Sequence, residues 1–305
     1  MKELKILFIT KNLSHFIERS SVYFYEELRK QANVIVWHEH GYIQDILSKL
    51  PFQPDFILLN DYCPQYCPFI RGLKGLSIPV GTILHDLHYR KERRKSWLKN
   101  EEIKYIFSIY REPFMKWYSE FRDRFIWLPH HINTDIFMDY QQVKTVNWLM
   151  MGAVYEHLYP LRSLIMKQMY NKPGFICYGH PGYRDHVGKN VLVGKEYAME
   201  INKAKIFLTC DSIYQYPVLK YFEVLGCNTL LLAPGSKELN DLGFVNGETF
   251  VAIDETNFTE KADYYLHHES ERIAIAKNGY EMVRKRHSTS QRVQEFLQKV
   301  AEIIQ

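Results

Sequence analysis

No apolar run in this chain approaches the roughly 18 residues that a bilayer-spanning helix needs. The amino terminus, MKELKILFITKN, offers a short strand where a secretory signal would need a longer apolar stretch. Cysteine is sparse and odd in number: Cys63, Cys67, Cys177, Cys210 and Cys227 make no dense framework, which fits a reducing compartment. Cys63 and Cys67 have no second ligand pair at zinc spacing. TKNLSH, after the first apolar run, lacks the closely spaced glycines of a dinucleotide loop, and no Walker-type loop occurs, which weakens dehydrogenase and kinase readings. No Asp-x-Asp pair is present either. Such a pair commonly holds the divalent ion that accompanies a diphosphate, so a diphosphate here would have to be met by side chains and helix N-termini. The expected compartment is the cytoplasm, and no metal or other cofactor is expected.

What is present is a long, apolar chain: 305 residues, 46% hydrophobic and 15% aromatic, enough for two domains with separate cores. LKILFIT, NVIVWH, DFILLND, IPVGTILHD, IKYIFSIY and FIWLPHHI read as short buried strands. SSVYFYEELRKQA, with Ser20 as cap, reads as an amphipathic helix. The polar stretch near 139–145 reads as the boundary. NWLMMGAV, GFICYGH, NVLVG, AKIFLTCD and NTLLLAP then begin a second alternation. This predicts an α/β chain of two doubly wound, Rossmann-like domains with a cleft between them, at 1–142 and 143–287, and a C-terminal helix over 288–305. That helix shows an apolar rhythm at Val293, Phe296, Leu297, Val300, Ile303 and Ile304.

In parallel sheets ligands gather at the carboxyl ends of strands. That rule selects 10–12, 85–88, 130–131, 152–162, 179–184, 211–220 and 234–237. Within YPVLKYFEVLGCNTLLLAP, Glu223 lies in an apolar helix-then-strand pattern, where a carboxylate costs several kcal/mol unless it is paired or used. Pro217 suits a first helical turn, which would put Lys220 one turn in and Glu223 on nearly the same face. Arg162 opens another helix. One cation for phosphates and one carboxylate for ribose hydroxyls would make a nucleotide site; a Lys220–Glu223 surface pair is the plainer alternative.

The same run resembles the nucleotide-binding segment of the group 1 glycosyltransferases, in their CgeB-like, spore-coat-type branch. VNWLMMGAVYEHLYPLRSLI, KEYAMEINKAKIFLTCDS and the closing segment from GETFVAID to HSTSQRV extend the resemblance, and ILHDLHY and WLPHHINTDIF carry it more loosely into the first domain. The resemblance implies a GT-B architecture with the C-terminal helix packing back. It implies transfer of a hexosyl or N-acetylhexosaminyl group from a nucleoside diphosphate sugar, UDP-linked, to an unidentified glycan, protein or lipid-linked hydroxyl, metal-independent and retaining, as in polysaccharide or cell-surface glycan synthesis. Carried over, Glu223 would hold the ribose; Lys220 and Arg162 would face the diphosphate; Gly152, Gln215 and Tyr216 would line the donor; and Gly179, His180 and Tyr183 would approach the base or ribose. Two positions depart. Gln215 stands where many of these enzymes have another glutamate, and Asn228 where glycine is usual. A catalytically silent shell that binds a nucleotide sugar or glycan is the alternative that Gln215 suggests.

His85 and His88 flank Asp86 directly after a buried strand, and a histidine held by a carboxylate can accept a proton from a sugar hydroxyl. These three are the catalytic candidates, with a helix-capping turn as the structural alternative. His130, His131 and His287 read as structural. The net charge is +4, yet YRKERRKSWLK holds six basic residues and one acid. It reads either as a solvated helix face or as a contact for an anionic partner, with Arg90, Lys91, Arg93, Arg94 and Lys95 touching the inner face of a membrane. A nucleic-acid role has this stretch alone in its favour.

Overall fold

The structure is a computed structural model that describes residues 3–182 and 191–305. Contacts divide the chain into two units, Met1–Pro129 with Thr289–Gln305, and His130–Ser288.

In the first unit, strands β1 (Lys5–Ile9), β2 (Asn33–Trp37), β4 (Phe56–Asn60), β6 (Val80–Leu84), β7 (Tyr105–Ser108) and β8 (Phe125–Trp127) form one parallel sheet in the order β2-β1-β4-β6-β7-β8. Every residue of β4 and β6 is buried, as expected of unbroken apolar runs covered on both faces. Helices α1 (Ser20–Gln31), α2 (Ile43–Leu47), α3 (Lys91–Asn100) and α4 (Glu112–Trp117) connect the strands, with a 3-10 turn at Ser119–Arg124. A separate two-stranded ribbon pairs β3 (Gly41–Tyr42) with β5 (Ile70–Arg71). Sheet order reverses between β1 and β4, so their carboxyl ends open the crevice in which doubly wound sheets hold ligands.

The second unit repeats the plan with β9 (Val146–Met151), β10 (Phe175–Tyr178), β11 (Ala204–Leu208), β12 (Leu230–Ala233) and β13 (Val251–Ala252), in the order β10-β9-β11-β12-β13. Helices α5 (Pro160–Met169), α6 (Lys195–Asn202), α7 (Leu219–Gly226), α8 (Lys237–Leu242), α9 (Phe258–His267) and α10 (Glu269–His287) surround it. Its switch point lies between β9 and β11.

The C-terminal helix α11 (Thr289–Ile304) belongs to the first unit. Phe296 is fully buried and meets the rings of Phe24, Phe56 and Phe107 at 5.5, 6.1 and 5.1 Å. Truncating such a side chain costs about 3–5 kcal/mol. Gly81 on β6 leaves room for these rings, since a Cβ there would stand 2.7 Å from Phe56.

Several expectations change. The division falls at Pro129/His130 because 130–142 is tied to the second unit: Ile132 N–H donates to the His287 carbonyl at 2.9 Å and Arg284 donates to the Thr134 carbonyl at 3.0 Å. Ser20 begins α1 without capping it; Arg19 is the cap residue, and the Ser20 N–H donates to the Glu18 carboxylate. Residues 191–193 are no strand. They lead into α6 through Gly194, with Val193 buried just before the helix. Pro217 precedes the cap residue Val218 of α7 instead of sitting in its first turn. Asn228 does adopt a left-handed backbone, φ 50°. His287 is a packing residue, buried edge-on to Phe222 with its Nε2 at 2.8 Å from the Leu242 carbonyl.

Candidate functional site

At the first unit's switch point the network is polar and buried. Thr10 and Asn60, at the ends of β1 and β4, are fully buried and joined by a 2.9 Å bond from Asn60 Nδ2 to Thr10 Oγ1. The Thr10 hydroxyl donates to backbone carbonyls of Lys11 and Tyr66, so it must accept from Asn60. This fixes the amide: Asn60 Oδ1 faces His85 Nε2 at 2.7 Å and accepts its proton. A neutral His85 therefore has its lone pair at Nδ1, and its ring stacks on Tyr66 at 4.5 Å. The expected carboxylate partner Asp86 is exposed, as is His88, and the side chain that holds the His85 ring is Asn60. The turn does not cap α3, whose cap residue is Arg90.

Below this ring lies an ion pair that the sequence reading missed. Arg94 and Asp61 are both fully buried, 2.9 Å apart. Asp61, with φ 75°, also accepts the N–H of Tyr62, Cys63 and His85. Arg94 donates to the Asp86 carbonyl at 2.8 Å. Arg94 is thus removed from any membrane contact: the basic run has one inward position, whose charge is matched by the carboxylate that fixes the His85 backbone. Lys95 pairs with Glu120 at 2.9 Å.

In the second unit Gly152 directly follows β9 with φ +138°, where a Cβ would stand 2.9 Å from Arg162 Nη1 and 3.8 Å from Lys220 Cε. Glycine is required by both the backbone angle and the close approach of two cations. Arg162 bridges the two switch-point strands: Nη1 donates to the Ala153 carbonyl, and Nη2 to Thr209 Oγ1 and the Cys210 carbonyl. Its guanidinium, expected to face a diphosphate directly, is buried and engaged with protein oxygens, and only Nε–H lacks a partner among the described residues.

Lys220, in the first turn of α7, donates to the Tyr197 hydroxyl at 2.8 Å. That hydroxyl in turn hydrogen-bonds the Glu223 carboxylate, and burial and this carboxylate push the tyrosine well above its usual range. Burial pushes the Lys220 amine down to about 8; Glu223 opposes the shift and Arg162 adds to it. His180 is held below its usual range by burial, then by Lys220 and Arg162, and its Nδ1 accepts the Gly182 N–H. Burial raises Asp211, just beyond β11, to about 6 against the pull of Arg162. Around the open end of β9 stand two cations, a neutral histidine and a carboxylate, a set suited to an oxyanion that carries hydroxyl groups. Among the described residues no group of three or more His, Cys, Asp or Glu could hold a metal ion.

Comparison with known proteins bears on this geometry. Residues 161–298, a little under half the chain, match the family described as glycosyl transferase-like. No curated protein matches. Solved structures do: a glycosyltransferase from Rickettsia africae ESF-5 covers 100% of both chains at 12% identity and TM-score 0.62. Anabaena Alr3699/HepE in complex with UDP covers 98% of this chain and 100% of its own, at 10% identity and TM-score 0.67. Sucrose-phosphate synthase from Thermosynechococcus elongatus covers 86% and 76%, at 12% identity and TM-score 0.62.

The fold is GT-B.

On this GT-B scaffold the expected donor residues fall into three groups. Gly152, His180, Lys220 and Glu223 come together with Arg162 behind them. Gln215 is exposed with φ 56°, its N–H bonded to the Ser212 carbonyl, while Tyr216 is buried and stacked on Tyr214 at 5.6 Å. A Cβ on Gly179 would meet open space, and Tyr183 lies outside the described residues. Tyr197 and Asp211 were given no role from sequence. Asp211 lies three residues beyond β11 and the strand-end rule marked it; Tyr197 carries no signal, because its partners lie a helix and a strand away.

Proposed function

We propose that this chain is a glycosyltransferase that moves a hexosyl or N-acetylhexosaminyl group from a UDP-linked sugar to a hydroxyl acceptor. The observation that carries the reading is the Lys220–Tyr197–Glu223 set beside Gly152 at the second unit's switch point. Glu223 would accept the ribose hydroxyls. Lys220 and the N-terminus of α7 would neutralise the diphosphate, with Arg162 contributing its field through the strand ends. An Anabaena protein of the same fold was solved with UDP and glucose, which supports this choice of donor.

In the transfer the bond from the anomeric carbon to the diphosphate oxygen breaks with its electron pair on the diphosphate. The acceptor oxygen takes that place, and one proton is released. His85, with Nδ1 as acceptor, is the residue of the first unit suited to bind the hydroxyl that reacts or one beside it. Metal independence and retention of anomeric configuration complete the reading, the latter on family resemblance. The compartment in this reading is the cytoplasm, with the exposed Arg90 and Arg93 and the half-buried Lys91 as cations for an anionic membrane surface.

The test is calorimetric titration with UDP and turnover with a panel of UDP-sugars in the presence of chelator. Weakened UDP binding in Glu223→Ala and Lys220→Ala is expected; wild-type affinity in both overturns the site. Activity lost to chelator overturns metal independence, and proton NMR of the first-formed product reads the configuration. Gln215, exposed and in a left-handed backbone, favours one other reading, a shell that binds the donor without transfer; UDP binding without turnover identifies it.

A further inference from the structure

The β3–β5 ribbon builds something that the donor site does not use. Its register sets Tyr42 opposite Arg71, and Phe69 lies two residues before Arg71 on the same chain face. The guanidinium consequently lies against two rings, 5.2 Å from Phe69 and 5.6 Å from Tyr42, with a 3.4 Å contact to the Tyr42 hydroxyl. All three side chains are exposed, Phe69 at 54% and Tyr42 at 53%. Arg71 forms no ion pair among the described residues. The Phe69 and Tyr42 rings are exposed and the Arg71 cation lies beside them, so one ligand with an apolar face and a negative charge would cover the rings and meet the cation.

Phe69 also lines a cavity of about 50 Å³, together with His40, Tyr62, Trp97, Pro68 and Asp61. Tyr62 and Trp97 lie 5.4 Å apart at an angle, and His40 Nδ1 accepts the Phe69 N–H at 2.8 Å, which fixes the rim. The volume has room for a substituent the size of one or two water molecules. Asp61 belongs both to this wall and to the network that fixes His85.

We infer that the ribbon and its cavity form an acceptor subsite for a saccharide bearing an oxyanion, a carboxylate or a phosphate ester. Its ring face rests on Phe69, a small substituent enters the cavity, and the outer edge of the Arg71 fork binds the anion. The two rings and the Tyr42 hydroxyl keep the guanidinium near this position before the ligand arrives, so less side-chain freedom is lost when two parallel N–H bonds form. The inference rests on the glycosyltransferase reading for the word acceptor, but the recognition chemistry stands on the ribbon alone.

The experiment measures binding to the full chain by saturation-transfer NMR with saturating UDP present. The probes are methyl glucuronide, glucose 6-phosphate and methyl glucoside. At least one anionic probe should bind about tenfold or more tightly than the neutral glucoside, and Arg71→Gln should erase that difference, as loss of a charge-assisted pair predicts. Whichever anionic probe binds more tightly assigns carboxylate or phosphate. Arg71→Lys keeps the charge but not the fork and should recover only part. Equal binding of glucoside and anions, or selectivity unchanged in Arg71→Gln, overturns the subsite. Selectivity retained in a protein that fails to bind UDP keeps the subsite and overturns the transfer reading instead.

Discussion

Because burial brings the Lys220 amine down to about 8 from 10.5, its charge should be titratable in the range where donor binding is measured. The protonated amine is the form that attracts a diphosphate. If the neutral form contributes nothing, affinity for UDP falls about tenfold for each pH unit above the amine pKa, up to the roughly 10- to 150-fold that a charge-assisted contact is worth. The empty protein should respond with the opposite sign. Its folded state disfavours the charged amine, so the penalty is full below about 8 and is relieved as pH climbs towards 10.5, and stability should rise over that interval. Calorimetric titrations with UDP between pH 7 and 9.5, paired with thermal midpoints without ligand, read both trends. Tyr197 is held well above its usual range and His180 below its own, so neither hides the Lys220 step. Lys220→Arg, always charged, should flatten the profile, and Lys220→Met should bind weakly at every pH. A wild-type affinity that stays flat to pH 9.5, or a Lys220→Met protein that matches wild type at pH 7, refutes the reasoning.

Two further outcomes concern the first unit. Arg94→Met strands the fully buried Asp61 carboxylate and should cost about 3–5 kcal/mol, read as a lower thermal midpoint. Arg94→Met with Asp61→Asn should recover part of the loss, since Asn removes the charge, keeps an oxygen for the backbone N–H groups and tolerates the left-handed backbone. A single-variant midpoint equal to wild type contradicts the pair's geometry. Nitrogen-15 NMR should find neutral His85 with its proton on Nε2; a proton on Nδ1 would mean that the Asn60 amide faces the other way.

The elements of this chain were written largely in local pattern. LKILFIT, DFILLND and AKIFLTCD became β1, β4 and β11 with ends trimmed by one to three residues, because an unbroken apolar run bounded by polar residues has few other stable uses. VLV at 191–193 misled for the same reason: three apolar residues beside Gly194 serve a helix start as well as a strand. The strand-end rule found Gly152, His180 and Lys220, the carboxylate inside an apolar run marked Glu223, and both passed over Asp61, whose importance comes from a partner on another helix.

The sequence by itself determined the alternation of strands and helices, the placing of Lys220 and Glu223 one turn apart, and the amphipathic stripe of α11. Tertiary structure alone decided that Tyr197 joins that lysine to that glutamate, that Arg162 spends its fork on strand-end carbonyls, that Arg94 turns inward, and that α11 lies under Phe24, Phe56 and Phe107. Periodicity arises from backbone geometry within a few residues and is therefore legible in one dimension. Pairing and desolvation of charges depend on groups distant in the chain, and only the folded arrangement brings those together.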